Sequence, residues 1–356
     1  MQAADLDAAM SVLFDFFPAL RGCVPWVPLG VLPTRVDDGA PVLASAALRG
    51  ELWLKRDDLS SPVYGGSKLR LLEHLFGEAQ LHGYQSVYSS GAVGSNFAVA
   101  TALHARRVGL EPGAICFPEP VTPEGAESHR VVVERARVVE IAHWSLLPLA
   151  AERTRRQAEH EGQRALVLSQ VSLSPESLFG YLAAGLELHR QVAASECPAP
   201  ARLVLPIGSA ATSAGILAGL SLGKKIGVSR AAPALEAVRI APWPLSRRGR
   251  VRSLALKMLA RLAQLTGDAE HALGPRELLP CTVVTDQLGA GYPHPTPAGS
   301  AARALFEAAG FPILDGTYSA KAAAHLLASL TQAPGPVLFW CTKSSAALPQ
   351  AAAAAR

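Results

Sequence analysis

A lysine, Lys68, directly follows two glycines and a serine in the stretch "YGGSKLR" (residues 64–70). The stretch joins a strand-like run, "ELWLKRDD", to a helix-like run, "LRLLEHLF". Glycine lets a backbone approach its neighbours closely, and a solvated surface lysine has no need of that freedom. The spacing also differs from that of a phosphate-cradling Walker loop. The pattern therefore predicts a lysine with a chemical task, at a turn whose glycines make room for a ligand.

Two more turns of small residues follow predicted strands, "SSGAVGSN" (89–96) after "QSVYSS" and "GSAATSAG" (208–215) after "RLVLPI". The second turn opens a predicted helix, so backbone N–H groups and hydroxyls converge at a helix N-terminus, which is typical of an anion site. It contains neither GxGxxG nor GK[ST]. We infer a phosphate-bearing cofactor that is bound without the nucleotide fingerprints.

Short apolar runs alternate with helical patterns along almost the whole chain. This alternation predicts an α/β protein with mostly parallel sheets covered by helices. Such proteins bind ligands in the loops at the carboxyl ends of their strands, and the three turns stand in that setting. The predicted strands are 51–55, 85–90, 113–117, 137–141, 165–170, 202–208, 236–241, 282–286 and 336–341. The predicted helices include 68–80, 176–193, 297–309 and 319–330.

One basic amphipathic stretch, "RVRSLALKMLARLAQL" (250–265), is predicted to be a helix. Its apolar residues recur at helical spacing, which favours a core-packed helix with a solvated basic face. A helix that binds a membrane or a partner is the alternative.

Composition limits the class of protein. Of the 356 residues, 49% are hydrophobic and 17% are charged, which favours a globular chain over a disordered one. The net charge of +4 comes from mostly scattered basic residues, so nucleic acid is not expected as a partner. No apolar run approaches the roughly 18 residues of a membrane span, and the first residues lack a signal peptide's basic region. The five cysteines are far apart, so we expect reduced thiols in the cytoplasm and no metal site.

Five stretches, in order along the chain, resemble the fold type II (tryptophan synthase β-like) enzymes that depend on pyridoxal phosphate (PLP). The nearest branch is the D-cysteine desulfhydrase and 1-aminocyclopropane-1-carboxylate (ACC) deaminase family. The stretches are "LWLKRDDLSSPVYGGSKLRLLEHL", "SSGAVGSNFAVATALHA", "IGSAATSAGILAGL", "GAGYPHPTPAG" and "LDGTYSAKAA". The resemblance implies two α/β domains with the cofactor at their interface. Residues 1–72 and 196–356 would form the large PLP-binding domain, and residues 73–195 the smaller one.

The same resemblance implies roles for residues that match the family's motifs. Lys68 would form the Schiff base with PLP and later take the Cα proton of the substrate. Ser95 would meet the substrate carboxylate, and it could serve as a helix N-cap at the same time. Tyr292 and Tyr318 would lie near the substrate face of the ring. The residues expected to bind the cofactor itself are Lys68, Asn96, Gly208, Ser209, Ala210, Ala211, Thr212 and Thr342.

Departures from the family pattern bear on the reaction. The deaminase branch has a glutamate after the second tyrosine, whereas this chain has Ser319. A hydroxyl at the ring nitrogen, from Ser319 or Thr342, leaves the ring neutral and suits elimination of a good β-leaving group. Ala210 and Ala211 replace two glycines of the phosphate loop, which costs free energy wherever φ must be positive. Lys343 stands where the family has glycine, and it would either pair with a second acidic group on a substrate or point to solvent.

The resemblance thus implies a PLP-dependent lyase that acts on a small amino acid by Cα deprotonation and β-elimination, as D-cysteine desulfhydrase does. One alternative is β-replacement, or an ACC deaminase-like reaction, in a specialised pathway. Another is a catalytically degenerate PLP-binding member of the family. The family also implies a cytoplasmic homodimer.

Overall fold

A computed structural model describes residues 11–168, 173–332 and 334–350 of the chain. Within these residues ten strands form two sheets, and helices surround both. The strands are β1 (Val36–Asp38), β2 (Leu52–Lys55), β3 (Ser86–Ala92), β4 (Glu111–Phe117), β5 (Arg137–Glu140), β6 (Ala165–Leu168), β7 (Arg202–Ile207), β8 (Ala234–Arg239), β9 (Cys281–Val284) and β10 (Val337–Trp340).

The α-helices of the same residues range from five to 19 residues in length. They are α1 (Val12–Phe16), α2 (Ala40–Ser45), α3 (Ser67–Leu81), α4 (Asn96–His104), α5 (Pro123–Arg135), α6 (Leu147–His160), α7 (Phe179–Ala193), α8 (Ala211–Lys225), α9 (Arg248–Thr266), α10 (Pro297–Ala308) and α11 (Ser319–Ser329).

The larger sheet has the strand order β1-β2-β10-β7-β8-β9. The strands β2, β10, β7, β8 and β9 run parallel to one another, and β1 is antiparallel to its neighbour β2. The central strand β7, "RLVLPI", is buried along its whole length, as a strand covered by helices on both faces must be. The edge strand β1 reads "VDD" and was not predicted, because three residues with two aspartates carry no strand pattern.

The smaller sheet has the order β5-β4-β3-β6, and all its pairs are parallel. The predicted α/β class with parallel sheets is therefore confirmed, and each of the nine predicted strands overlaps an observed one. Residues 169 and 170 of the predicted strand 165–170 lie outside the described residues. The larger sheet draws on residues before β3 and after β6, while the division into domains at residues 72 and 196 stays a prediction.

Helices α7 and α8 pack closely against each other. A Cβ atom at Gly219 would lie 2.0 Å from the carbonyl oxygen of Leu182, and one at Gly215 would lie 2.2 Å from Cβ of Tyr181. These glycines of α8 therefore serve helix packing. The contact fixes the position of α8, whose N-terminus follows the loop after β7.

The basic stretch at 250–265 lies in α9, as predicted. The helix buries Val251, Ala255, Met258, Leu259 and Leu262 on one face, and its charged residues are partly or fully exposed. The core-packed interpretation is therefore confirmed. None of the helices in the described ranges combines the length and the apolar character that crossing a membrane requires.

Candidate active site

A cavity of about 1000 Å³, including its open mouth, lies at the carboxyl ends of β3, β7 and β10. Its wall is completed by the N-termini of α3 and α5 and by the segment before α11. All eleven residues singled out from the sequence line this one cavity. They are Lys68, Ser95, Asn96, Gly208, Ser209, Ala210, Ala211, Thr212, Tyr292, Tyr318 and Thr342. The fold thus brings these eleven residues together, and the chemical role of each stays a prediction.

The two glycines before Lys68 are required by the packing of the protein against itself. A Cβ atom at Gly65 would lie 2.5 Å from the carbonyl oxygen of Asp58, and one at Gly66 would lie 2.7 Å from that of Thr342. Gly66 also has a φ of +96°, where side chains are strained. The expectation that these glycines make room for a ligand is therefore wrong, because both face backbone of neighbouring loops.

The turn that carries Lys68 is tied to the segment after β10 by two backbone donors and a β-bridge. The N–H of Gly65 donates to Oγ of Ser344 at 2.9 Å, and the N–H of Ser67 donates to the carbonyl of Thr342 at 2.9 Å. Gly66 also forms a β-bridge with Lys343. Lys68 then begins α3 at a fixed place in the cavity wall.

No carboxylate of the described residues pairs with the amine of Lys68. Burial lowers its pKa from the usual 10.5 to about 8, because the surrounding protein solvates the ammonium poorly. Near neutral pH roughly one amine in ten is then uncharged, against fewer than one in a thousand for a solvated lysine. The site therefore holds a nucleophilic and basic amine.

A fully buried ion network anchors α3 behind Lys68. Arg70 donates to Asp57 at 2.7 Å and to Glu187 at 2.9 Å, and Lys55 pairs with the same Glu187. Burial alone would raise the pKa of Glu187, but Arg70 and Lys55 outweigh it and lower the pKa to about 2. Asp57 also accepts the indole N–H of Trp340 at 2.8 Å. The "LKRDD" motif therefore joins β2, β10, α3 and α7.

Asn96 lines the cavity with one end of its amide already engaged. The hydroxyl of Tyr64 donates to Oδ1 of Asn96 at 2.9 Å. Burial raises the pKa of Tyr64, so its hydroxyl keeps the proton it donates. The carbonyl of Tyr64 in turn meets Nε2 of His104 at 2.8 Å. These two contacts leave the NH₂ group of Asn96 free to donate to a ligand. The position of Tyr64 in the motif did not reveal that it orients Asn96.

Ser95 is the N-cap of α4, where its Oγ accepts the N–H of Phe97 at 3.2 Å. The N-cap interpretation of this serine is therefore confirmed, and its contact with a substrate stays a prediction. Since the hydroxyl accepts in this contact, its proton remains available to a ligand in the cavity.

The loop after β7, where the sequence predicts an anion site, lines the cavity and leads into the N-terminus of α8. Oγ of Ser213 is buried, has no hydrogen-bond partner in the structure and belongs to a residue lining the cavity. Ser213 was not singled out from the sequence, although it stands within "GSAATSAG". Ala210 has a φ of +70°, so the replacement of a glycine there is strained as expected, whereas Ala211 does not have a positive φ. Arg250 of α9 donates to the carbonyl of Ser209 at 3.3 Å.

Tyr292 and Tyr318 form a T-shaped pair with ring centroids 5.5 Å apart. Burial raises the pKa of both hydroxyls. The interaction between the hydroxyls raises the pKa of Tyr318 further and lowers that of Tyr292.

Ser319 does not face the cavity, contrary to the expectation of a hydroxyl at a ring nitrogen. It is fully buried, and its Oγ donates to Oδ2 of Asp315 at 2.8 Å and accepts the N–H of Asp315 at 2.7 Å. Asp315 itself lines the cavity and was missed. Its carboxylate also accepts the N–H groups of Thr317 and Tyr318, so it holds the turn that leads into α11. An acid just before a predicted helix is the signal that could have revealed it.

Two further charged residues, Glu124 and Lys343, line the cavity. Glu124 of α5 pairs with Arg303 at 2.6 Å, whereas the side chain of Lys343 makes no hydrogen bond or ion pair with any described residue. Cys341 is buried, and burial raises the pKa of its thiol well above the usual value, so it is an inert cysteine. Among the described residues that line the cavity, Lys343 and Lys68 are therefore the two lysines without an ion-pair partner.

Both the sequence and the fold of the chain are similar to those of known proteins. Residues 38–342 match the profile of a family described as "Pyridoxal-phosphate dependent enzyme". The nocardicin C-9' epimerase of Nocardia uniformis subsp. tsuyamanensis is 34% identical over 339 residues, which cover 91% of this chain and 94% of that protein. The D-cysteine desulfhydrase of Serratia proteamaculans (strain 568) is 29% identical over 84% of this chain and 88% of its own. A solved structure of an ACC deaminase homologue has the same fold, with a TM-score of 0.74 at 22% identity, covering 94% of this chain and 95% of its own.

Proposed function

The chain belongs to the pyridoxal-phosphate-dependent enzymes, and from that premise we propose that it removes the Cα proton of a small amino acid in this cavity. The main reaction proposed is β-elimination with release of a keto acid and ammonia, in line with a relative named D-cysteine desulfhydrase. The observation that carries the proposal is that Lys68, Asn96 and the N-terminus of α8 face one cavity.

The groups in the cavity fit pyridoxal phosphate. The buried Oγ of Ser213 lacks a partner beside the N–H groups that open α8, which is what a phosphate requires. The free NH₂ of Asn96 would donate to the ring oxygen, and Lys68 would carry the amine that the aldehyde needs. Thr342 would offer a hydroxyl to the ring nitrogen now that Ser319 is excluded from the cavity.

Bound pyridoxal phosphate withdraws electrons from the substrate's Cα and so makes its proton acidic. Lys68, with its pKa lowered to about 8, would take that proton as a base. Ser95 and the N-terminus of α4 would hold the substrate carboxylate through N–H and hydroxyl donors. Tyr292 and Tyr318 would limit access of water from their side of the cavity.

Epimerisation at Cα is a second candidate, because a relative that covers 91% of this chain is named as an epimerase. It begins with the same loss of the Cα proton and differs only in returning a proton to the opposite face. The return requires an acid that keeps its proton near neutral pH. Burial raises the pKa of Tyr292 and so meets that requirement.

The test is a panel of D- and L-amino acids in D₂O with the purified, PLP-loaded protein. Keto acid and ammonia with sulfide from D-cysteine would support elimination, and deuterium at an inverted Cα would support epimerisation. New thioethers formed with an added thiol would indicate β-replacement. Spectral shifts with no product from any substrate would indicate a binding protein without turnover.

Lys68→Ala is the decisive variant, with Lys224→Ala, an exposed lysine at the end of α8, as its matched control. Borohydride reduction followed by peptide mass spectrometry should find PLP attached at Lys68 in the wild-type and control proteins only. Attachment to any other lysine would overturn the assignment.

Homodimeric assembly and a cytoplasmic location belong to the same proposal. All five cysteines are free in the structure, which suits a reducing compartment. Light scattering at micromolar concentration should give the mass of a dimer. A monomer mass of 37.3 kDa would contradict that part of the proposal.

A further inference from the structure

Lys321 of α11 is a fully buried lysine outside the set considered so far. Its ammonium donates to the carbonyl of Leu288 at 3.2 Å and to that of Gly291 at 3.1 Å. No described carboxylate lies within ion-pair distance of it. The two carbonyls belong to the segment 285–296, which contains neither helix nor strand.

This position is unfavourable for a cation. Burial lowers the pKa of Lys321, and the more distant carboxylate of Asp315 only partly offsets that effect. Lys321 also stands in the first turn of α11, where the helix dipole repels positive charge. A methionine would fill similar space without the cost of burying an ammonium. Filling the core therefore does not explain the lysine.

The two carbonyls that Lys321 binds lead directly to one of the cavity tyrosines. Gly291 precedes Tyr292, whose ring packs against Tyr318, and Tyr318 lies three residues before Lys321. One ammonium thus connects the backbone on the N-terminal side of Tyr292 with the helix that follows Tyr318. Among the described residues, the other side-chain hydrogen bond from α11 to this segment joins His325 to Asp286 at 2.8 Å, at the start of the segment.

We propose that Lys321 is a positioning residue, which holds residues 288–291 so that Tyr292 stays against Tyr318 in the cavity wall. The structural part of this inference is independent of the reaction. Its consequence for turnover rests on the proposed function.

Hydrogen exchange of the cofactor-free protein tests the structural part. The N–H of Gly291 donates to the carbonyl of Leu288, and the N–H of His294 donates to that of Gly291, so both amides share acceptors with Lys321. Lys321→Met should speed their exchange by about tenfold or more, while amides in the middle of α11 keep their rates. Lys224→Met is the matched control. Unchanged exchange in residues 288–294 would overturn the proposal.

A double-mutant cycle with Tyr292→Phe tests the consequence for turnover. Lys321→Met should lower kcat/KM by about tenfold in the wild-type background and by less than about twofold in the Tyr292→Phe background. Equal losses in both backgrounds would mean that Lys321 does not act through Tyr292. Should Lys321→Met fail to fold, Lys321→Gln, which keeps a neutral NH₂ donor group, takes the place of Lys321→Met in both experiments. A protein without turnover would refute the proposed function and still leave the exchange result to decide the role of Lys321.

Discussion

The hydroxyl of Tyr64 donates to Oδ1 of Asn96 at 2.9 Å and thereby orients the amide of Asn96 toward the cavity. The tyrosine is almost completely buried, and its own carbonyl is held by His104. Tyr64 belongs to the turn that carries Lys68, while Asn96 opens α4. One hydrogen bond thus couples the turn of the proposed nucleophile to the residue proposed to bind the cofactor ring.

Tyr64→Phe should weaken the binding of PLP by about tenfold, because the amide of Asn96 then loses its buried partner and its fixed orientation. Titration of the cofactor-free protein, followed by quenching of tryptophan fluorescence, measures the dissociation constant. Tyr88→Phe, in the smaller sheet away from the cavity, is the matched control. Equal affinities of Tyr64→Phe and wild type would show that Asn96 needs no such orientation.

Ala210→Gly should stabilise the protein by roughly 0.5–1 kcal/mol. Alanine at a φ of +70° is strained by about 1–2 kcal/mol, and the extra freedom of glycine in the unfolded chain offsets part of the gain. Urea unfolding of the cofactor-free protein measures the difference.

Ala211→Gly is the matched control for the strain at Ala210. This alanine begins α8 and does not have a positive φ, so glycine there should destabilise the protein by roughly 0.5–1 kcal/mol. Changes of the same sign at both positions would contradict the role of the positive φ.

The amine of Lys68 should titrate near pH 8 in the cofactor-free protein, since burial lowers its pKa from 10.5. In the native state the group therefore loses its proton earlier than in the unfolded chain. The cost of its buried charge is present below pH 8 and disappears as the pH rises to 10.5. Competitive acetylation with mass spectrometry, using the exposed Lys224 for comparison, measures the midpoint. A midpoint above 10 for Lys68 would contradict the burial argument.

Lys343→Ala should raise the KM for substrates with a second carboxylate by about fivefold and leave that for neutral amino acids unchanged. The cation lines the cavity without a partner, and a partly screened ion pair contributes up to about 1 kcal/mol. Steady-state kinetics with aspartate-like and serine-like substrates measures the difference. Equal effects on both classes would mean that Lys343 points to solvent.

Glu187→Gln should lower the free energy of unfolding by roughly 3–5 kcal/mol, because Arg70 and Lys55 then share fewer buried negative charges. The native pKa of Glu187, about 2, lies below its usual 4.5. Its contribution is therefore complete above pH 4.5 and is lost as the pH falls toward 2. Urea unfolding at pH 7 and pH 3 measures both effects, with the exposed Glu152→Gln as control. A loss within about 0.5 kcal/mol, as expected for Glu152, would contradict the network.

The sequence by itself determined the α/β class, the approximate strands and eleven of the residues that meet in the cavity. Apolar runs and helical spacing report burial locally, and turns after parallel strands converge whatever the details of packing. The glycine pattern before Lys68 correctly marked a special turn. The reason for the two glycines could not be inferred from the sequence, because only the folded chain places Asp58 and Thr342 against them.

The tertiary structure alone decided which polar groups remain free. Ser319 looked available in the sequence, yet Asp315 takes its hydroxyl, while Ser213 looked ordinary and is left without a partner. The buried bonds of Tyr64 to Asn96 and of Lys321 to Gly291 likewise join segments about 30 residues apart. Hydrogen bonding and desolvation depend on every neighbour in space, and spacing along the chain does not encode those neighbours.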